Sequence, residues 1–131
     1  MSDMSDQTRL SSPPSLPLHK QPQSRYAWLV RSIQLMKPVT WFAPTWAFMC
    51  GAIASGALGW NESIGRLLLG MFMAGPILCG LSQVVNDYAD REVDAINEPH
   101  RLIPSGQVSL RHVYILTAVL TWIGASIALF L

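Results

Sequence analysis

The feature that most constrains this chain is where its charges are absent. No Asp, Glu, Lys or Arg occurs at 38–61, at 67–86 or at 112–131. Each of these windows reaches the ~20 residues a helix needs to cross the hydrocarbon core of a bilayer. The chain has 131 residues, half of them hydrophobic and 13% charged, which is apolar for a soluble domain. The predicted fold is therefore all-α and integral to a membrane. Its three transmembrane helices fall at about 41–60, 67–95 and 113–131, the second carrying an acidic extension. The lipid bilayer is the first partner implied. A formal net charge of +1 with dispersed basic residues offers no basic patch, and nucleic acid is not an expected partner.

The segments around the windows differ in character. Residues 1–24 are rich in Ser, Pro and Gln, with Pro13, Pro14, Pro17 and Pro22, and read as a disordered tail. They lack the apolar stretch and small-residue cleavage site of a secretory signal. At 25–37, Tyr26, Leu29, Val30, Ile33 and Met36 recur at helical spacing, which predicts an amphipathic helix lying at the membrane surface. Trp41, Trp46 and Trp60 flank the first span like an aromatic belt. Two small-residue rows, Ala43–Ala47–Gly51 and Ala52–Gly56, predict close helix packing there, as does Gly124–Ala128 in the third span. Residues 61–66 read as a polar turn. Gly75-Pro76 predicts a kink in the second span. The segment 97–109 carries Pro99, Pro104 and Ser105-Gly106 and reads as a loop, with Ser109 placed to cap the third helix. Cys50 and Cys79 stand alone in apolar surroundings and are expected to be buried small hydrophobes.

The second window ends in Asn86–Asp94, N-D-Y-A-D-R-E-V-D. On a helix, Asp87, Asp90 and Asp94 point within about a sixth of a turn of one another. Gln83 shares that direction, Asn86 sits at its edge, and Glu92 points away. Like charges at this spacing repel unless something neutralises them. One reading is a solvated acidic face on a helix leaving the membrane. The other is a cation site. Mg2+ suits oxygen ligands of this kind, binding through one or two carboxylates and taking phosphate oxygens as further ligands. With Lys37, Arg91 and Arg101 in the flanking basic segments, the set suits a diphosphate bridged by magnesium, whose leaving-group charge these cations neutralise. An apolar cavity between helices would hold a hydrocarbon tail. A transporter whose carboxylates bind cations has the same composition. Lys20, Arg25, Arg31 and Lys37 precede the first span and Arg91, Arg101 and Arg111 lie between the second and third, so the N-terminus and acidic loop are expected to be cytoplasmic.

The stretch resembles the N-D-x-x-D-x-x-x-D motif of the UbiA-type intramembrane prenyltransferases. N-E-P-H-R-L-I-P-S-G resembles the loop that follows it in that family. D-R-E-V-D-A-I-N-E-P and K-P-V-T-W-F-A-P look most like chlorophyll and bacteriochlorophyll synthases, over Lys37 to Gly106 and more weakly to Leu131. The resemblance implies transfer of a prenyl group from a polyprenyl diphosphate, with Mg2+ as cofactor. The acceptor it implies is a chlorophyllide-type tetrapyrrole, esterified with geranylgeranyl or phytyl diphosphate in an inner or intracytoplasmic photosynthetic membrane. It assigns Asn86, Asp87, Asp90 and Asp94 to the metal–diphosphate motif, with Asp87, Asp90 and Asp94 as the catalytic set. Arg101, with Lys37 and Arg91, becomes a diphosphate contact. No role is assigned to His100, which reads as a solvated loop histidine. Leu102 stands where the family usually has Pro. The resemblance covers the first third of a bundle of about nine helices, and the second aspartate motif of the family is absent. A chain with one motif is expected to be inactive alone. Other readings are a UbiA-type enzyme acting on a quinone precursor or haem, and a non-catalytic magnesium-binding membrane assembly module.

Overall fold

The structure is a computed structural model and describes residues 25–56 and 63–131. The tail at 1–24 and the end of the predicted first span lie outside the described residues. All regular elements among the described residues are helical: α1 (Arg25–Met36), a 3-10 turn (Pro38–Trp41), α2 (Phe42–Ala54), α3 (Ser63–Phe72), a π-helical segment (Met73–Cys79), α4 (Gly80–Ala89), α5 (Arg91–Asn97) and α6 (Leu110–Phe130).

Two helices among the described residues are long and apolar enough to cross a membrane. One is the continuous run Ile64–Ala89 of 26 residues; the other is Leu110–Phe130 of 21 residues. In the first window the described α-helix is α2, whose 13 residues include no buried one, so Cys50 is exposed and not the buried small hydrophobe expected. The expected turn is shorter than the sequence indicated, because Ser63 to Arg66 already belong to α3. Ile64, Leu67, Leu68 and Met71 recur at the 3.6-residue period, and that pattern outweighs the local polarity.

Gly75-Pro76 sits inside the π-helical segment. Pro76 has no N–H to donate and its ring crowds the preceding turn, so one widened turn absorbs it without ending the helix. Glycines on this helix set how closely its neighbours approach. A Cβ at Gly70 would lie 2.1 Å from the Phe48 ring, one at Gly75 2.1 Å from Thr45 Oγ1, and one at Gly80 2.8 Å from Met36 Cε. The close packing predicted from the Ala43–Ala47–Gly51 row is therefore made from the other helix. Ala43, Ala47 and Gly51 are exposed, and nothing lies within 4 Å of a Cβ at Gly51 or Gly56. Gly124 is buried and faces Ile77, 3.2 Å from a Cβ placed on it.

The core joins α1, α4, the loop and α6 through Leu35, Met36, Ile77, Val84, Val108, Val113, Leu116 and Leu120. In α1 the buried face is Ser32, Leu35 and Met36, while Tyr26, Leu29, Val30 and Ile33 are exposed. The predicted apolar stripe is thus largely turned outward. The Ser109 side chain caps α6 by accepting from the His112 N–H at 3.3 Å.

Replacing Gly75 by Ala inserts a methyl against Thr45 and within 3.2 Å of the Trp41 carbonyl oxygen. Overpacking of this kind is expected to destabilise the protein by about 1–3 kcal/mol. Thermal unfolding in detergent should show a lowered midpoint, partly restored by adding Thr45→Ala.

Candidate active site

The acidic stretch is two helices. Asp90 lies at the junction of α4 and α5 with φ −84 and ψ −2, in the sparsely populated bridge region. The single helix expected to run to about Ala95 is broken there. The backbone bonds Asp90 N–H to Asn86 O (2.9 Å) and Asp94 N–H to Asp90 O (2.8 Å) nevertheless keep the helical spacing. Asp87 and Asp94 consequently remain on one side, as their phase predicts.

Two cations from elsewhere in the chain reach that side. Lys37 Nζ donates to Asp87 Oδ1 at 2.6 Å. Arg101 Nη1 lies 3.0 Å from Asp94 Oδ2 and 3.5 Å from Asp87 Oδ1. Arg101 Nε donates to Glu98 as well. The hydrogen bond to Glu98, reinforced by the charges of Asp94, Glu98 and Asp87, holds the guanidinium above its already high pKa. Asp94 is buried, 7% exposed, and an ionised carboxylate there depends on such pairing.

The Lys37 backbone is as informative as its side chain. Its φ of 47 makes it the non-glycine residue with positive φ among the described residues. That conformation disfavours an L side chain by roughly 1–2 kcal/mol. Here it closes α1, with Lys37 N–H donating to Gln34 O at 3.3 Å. The Trp41 indole N–H takes the Met36 carbonyl at 2.8 Å. Thr40 takes the Lys37 carbonyl through its N–H and its hydroxyl, at 2.9 and 2.8 Å. A glycine would make this turn without strain, but it would place no ammonium on Asp87.

The other predicted residues lie outside this cluster. Asp90 and Asn86 are exposed, and their side chains bond to no other side chain among the described residues. Arg91 turns away. Its guanidinium stacks on the Tyr88 ring at 4.5 Å, bonds the Tyr88 carbonyl and pairs with Glu92. Glu98 was not singled out by sequence reasoning; its place three residues before Arg101 was the available signal.

Among the described residues no three His, Cys, Asp or Glu side chains gather as a ligand set for a metal. Asp87 and Asp94 do present hard oxygen donors with a single cationic nitrogen between them. One or two carboxylates with substrate phosphates is the coordination Mg2+ prefers. The residues therefore fit such an ion. Beside Lys37 opens a cavity of about 390 Å3, lined by Pro38, Trp41, Phe42, Trp46, Phe72 and Pro76 among others. The ionic cluster thus stands at one end of a membrane-length helix, and an aromatic, apolar hollow lies along the middle of that helix and reaches Pro38, the residue after Lys37.

These features define a helical membrane protein with a cation-balanced carboxylate site at the end of an apolar helix. The chain belongs to the UbiA prenyltransferase family, whose pattern matches residues 25–131. It is 58% identical over 76 residues to the bacteriochlorophyll synthase 33 kDa chain of Rhodobacter capsulatus, covering 58% of this chain and 25% of that protein. It is 46% identical over 107 residues to the chloroplastic chlorophyll synthase of Arabidopsis thaliana, covering 81% and 27%. Similarity extends at 37% over 96 residues to the digeranylgeranylglyceryl phosphate synthase of Methanothrix thermoacetophila, covering 73% and 35%. The chain thus spans about a quarter of the length of its chlorophyll-synthase relatives. No solved structure matches it.

Removing Arg101 tests the pairing. Arg101→Leu leaves the buried Asp94 carboxylate without its cation and is expected to lower the denaturant midpoint of unfolding in detergent. Arg101→Lys should recover less than half of the loss, because a point charge cannot serve Glu98 and Asp94 through separate nitrogens.

Proposed function

We propose that this chain forms part of a membrane prenyltransferase that moves a prenyl group from a polyprenyl diphosphate to a chlorophyllide-type tetrapyrrole. The product is the geranylgeranyl or phytyl ester formed in chlorophyll or bacteriochlorophyll biosynthesis. The observation that carries this reading is the convergence of Lys37 and Arg101 on Asp87 and Asp94, with an apolar cavity that reaches Pro38. It is supported by the chlorophyll and bacteriochlorophyll synthase relatives and by the family itself.

The chemistry divides between the two halves of that arrangement. The allylic carbon–oxygen bond breaks with its electron pair leaving on the diphosphate, and the propionate carboxylate of the acceptor bonds to the same carbon. The nucleophile is already ionised, so no strong general base is required. Lys37 and Arg101 offset the charge that grows on the departing diphosphate. Asp87 and Asp94, with Asp90 and Asn86 in the same motif, are the residues that would hold Mg2+, which would supply electrophilic stabilisation of the diphosphate. The aromatic cavity beside Lys37 takes isoprenoid carbon, where burial of apolar surface contributes about 25 cal/mol per Å2. In this reading three spans cross the bilayer, with α1 at the interface. The N-terminus and the acidic loop face the cytoplasm, as the distribution of Arg and Lys favours.

The test is binding of geranylgeranyl diphosphate to the purified chain in detergent, with Mg2+ and after its chelation. Chelation, Asp87→Asn and Asp94→Asn are each expected to weaken binding tenfold or more, equivalent to about 1.4 kcal/mol. Metal binding that is indifferent to diphosphate would instead identify a cation-binding module. In the full-length enzyme, chlorophyllide should be prenylated and an aromatic acid should not.

A further inference from the structure

A second polar cluster lies away from the carboxylates and ties α1 to α6. Ser32 and His112 are each 5% exposed. His112 Nε2 and Ser32 Oγ are 2.8 Å apart, joining residues 80 positions apart in the chain. The Ser32 hydroxyl also donates to the Trp28 carbonyl at 3.0 Å. A hydroxyl has one proton and a carbonyl can only accept, so the proton in the Ser32–His112 bond belongs to Nε2. The Trp28 ring then covers the imidazole, with centroids 4.5 Å apart and planes 11° from parallel. One face of α1 thus grips one side chain of α6 by a hydrogen bond and a stack.

The position of this grip gives it a consequence. Much of the apolar surface of α1 is exposed: Tyr26, Leu29 and Ile33 are each more than half exposed. Exposed residues contribute little to fixing the rotation or register of α1. Leu35 and Met36 bury against α4 and α6, but hydrophobic contact is not directional. A buried hydrogen bond is directional, and leaving either partner without it is unfavourable. Ser32 is five positions before Lys37, whose backbone is fixed by the turn that closes α1. A rotation of α1 therefore moves Lys37 away from Asp87. We propose that His112 is a positioning residue for the diphosphate site, latching α1 through Ser32 and Trp28 so that Lys37 Nζ stands on Asp87. The functional part of this inference rests on the reading of Lys37 as a diphosphate contact; the latch itself does not.

The chain has two lysines, Lys20 and Lys37, which allows a ligand-free test. The full chain in detergent is treated briefly with an amine-acylating reagent, and the Lys37-to-Lys20 labelling ratio is read by mass spectrometry. An ammonium held on a carboxylate is shielded, so Asp87→Asn should raise the ratio about threefold or more. His112→Ala should raise it comparably and should add nothing in the Asp87→Asn background. His112→Gln, whose amide offers an N–H to Ser32, should return it towards the wild-type ratio. Ser32→Ala, a small truncation, provides the same readout should His112→Ala fail to fold. A wild-type ratio in Asp87→Asn, or in the folded His112→Ala or Ser32→Ala variants, overturns the latch. So does an increase in His112→Gln as large as that in His112→Ala. A second arm measures the affinity for geranylgeranyl diphosphate with Mg2+. His112→Ala should weaken it about threefold or more in the wild-type background and leave it unchanged in the Lys37→Ala background. A positive labelling result with no effect on affinity keeps the latch and rejects Lys37 as a substrate contact.

Discussion

The Arg101 guanidinium between Asp87 and Asp94 is the interaction on which the rest depends. Two carboxylates with low exposure at the end of an apolar helix repel each other and lose hydration. A single nitrogen within 3.5 Å of both removes much of that repulsion. Lys37 adds a second cation to Asp87, and Glu98 orients the arginine through its Nε. The loop carrying Arg101 is held in turn by hydrogen bonds from Arg101 N–H to Glu98 O and from Val108 N–H to Leu102 O. Loop, acidic helix and the segment before the first span are therefore fixed by one set of charges. Because both cations are about one-third exposed, water still screens the cluster, and its net contribution to stability is smaller than that of a dry pair.

Bringing Lys37 to Asp87 requires the second helix to lie close to the first. Its glycines make this possible: Gly75 receives Thr45, and Gly80 receives Met36, directly before Lys37. The π-helical turn accommodates Pro76 in the same stretch, so helix packing and the aromatic cavity that reaches Pro38 share one local cause. A change at Gly75 or Gly80 would thus be felt at the carboxylates without any alteration of charge. That is a packing route to function, carried by contacts that lipid alone would not enforce.

Much of this was legible in the sequence because it follows from period and charge. The two long apolar helices, the loop at 97–109, the Ser109 cap and the shared side of Asp87 and Asp94 all come from spacing between near neighbours. The motif and its following loop likewise pointed to the family to which the chain belongs. What the sequence did not reveal depended on tertiary partners. Phase alone placed Asp90 with its neighbours, but the junction of α4 and α5 falls on it and leaves it exposed. Arg91 has the right charge at the right place in the chain, yet the Tyr88 ring and Glu92 draw its guanidinium elsewhere. The Ala43–Ala47–Gly51 row looked like a packing surface, while the close approaches occur at Gly70 and Gly75. The left-handed backbone of Lys37 has no marker in a lysine–proline pair.

The separation of Asp90 from Asp87 and Asp94 changes how the motif should be understood. A set of three equivalent carboxylates would be expected to converge, and these do not. Asp87 and Asp94 are balanced by cations of the protein, whereas Asp90 is exposed and has no such partner among the described residues. Three carboxylates, Asp87, Asp94 and Glu98, already face two cations, Lys37 and Arg101, so the cluster keeps an excess of negative charge even before Asp90 is counted. An incoming cation meets that excess most readily at Asp90, where no ion pair has to be broken. Reaching Asp87 or Asp94 requires Lys37 or Arg101 to yield, and a diphosphate is the kind of anion that could accept both. The arrangement therefore couples the arrival of positive charge at the carboxylates to the availability of negative charge for the displaced side chains. Under the proposed function, metal and diphosphate would reinforce each other's binding, since either alone leaves one set of charges without partners.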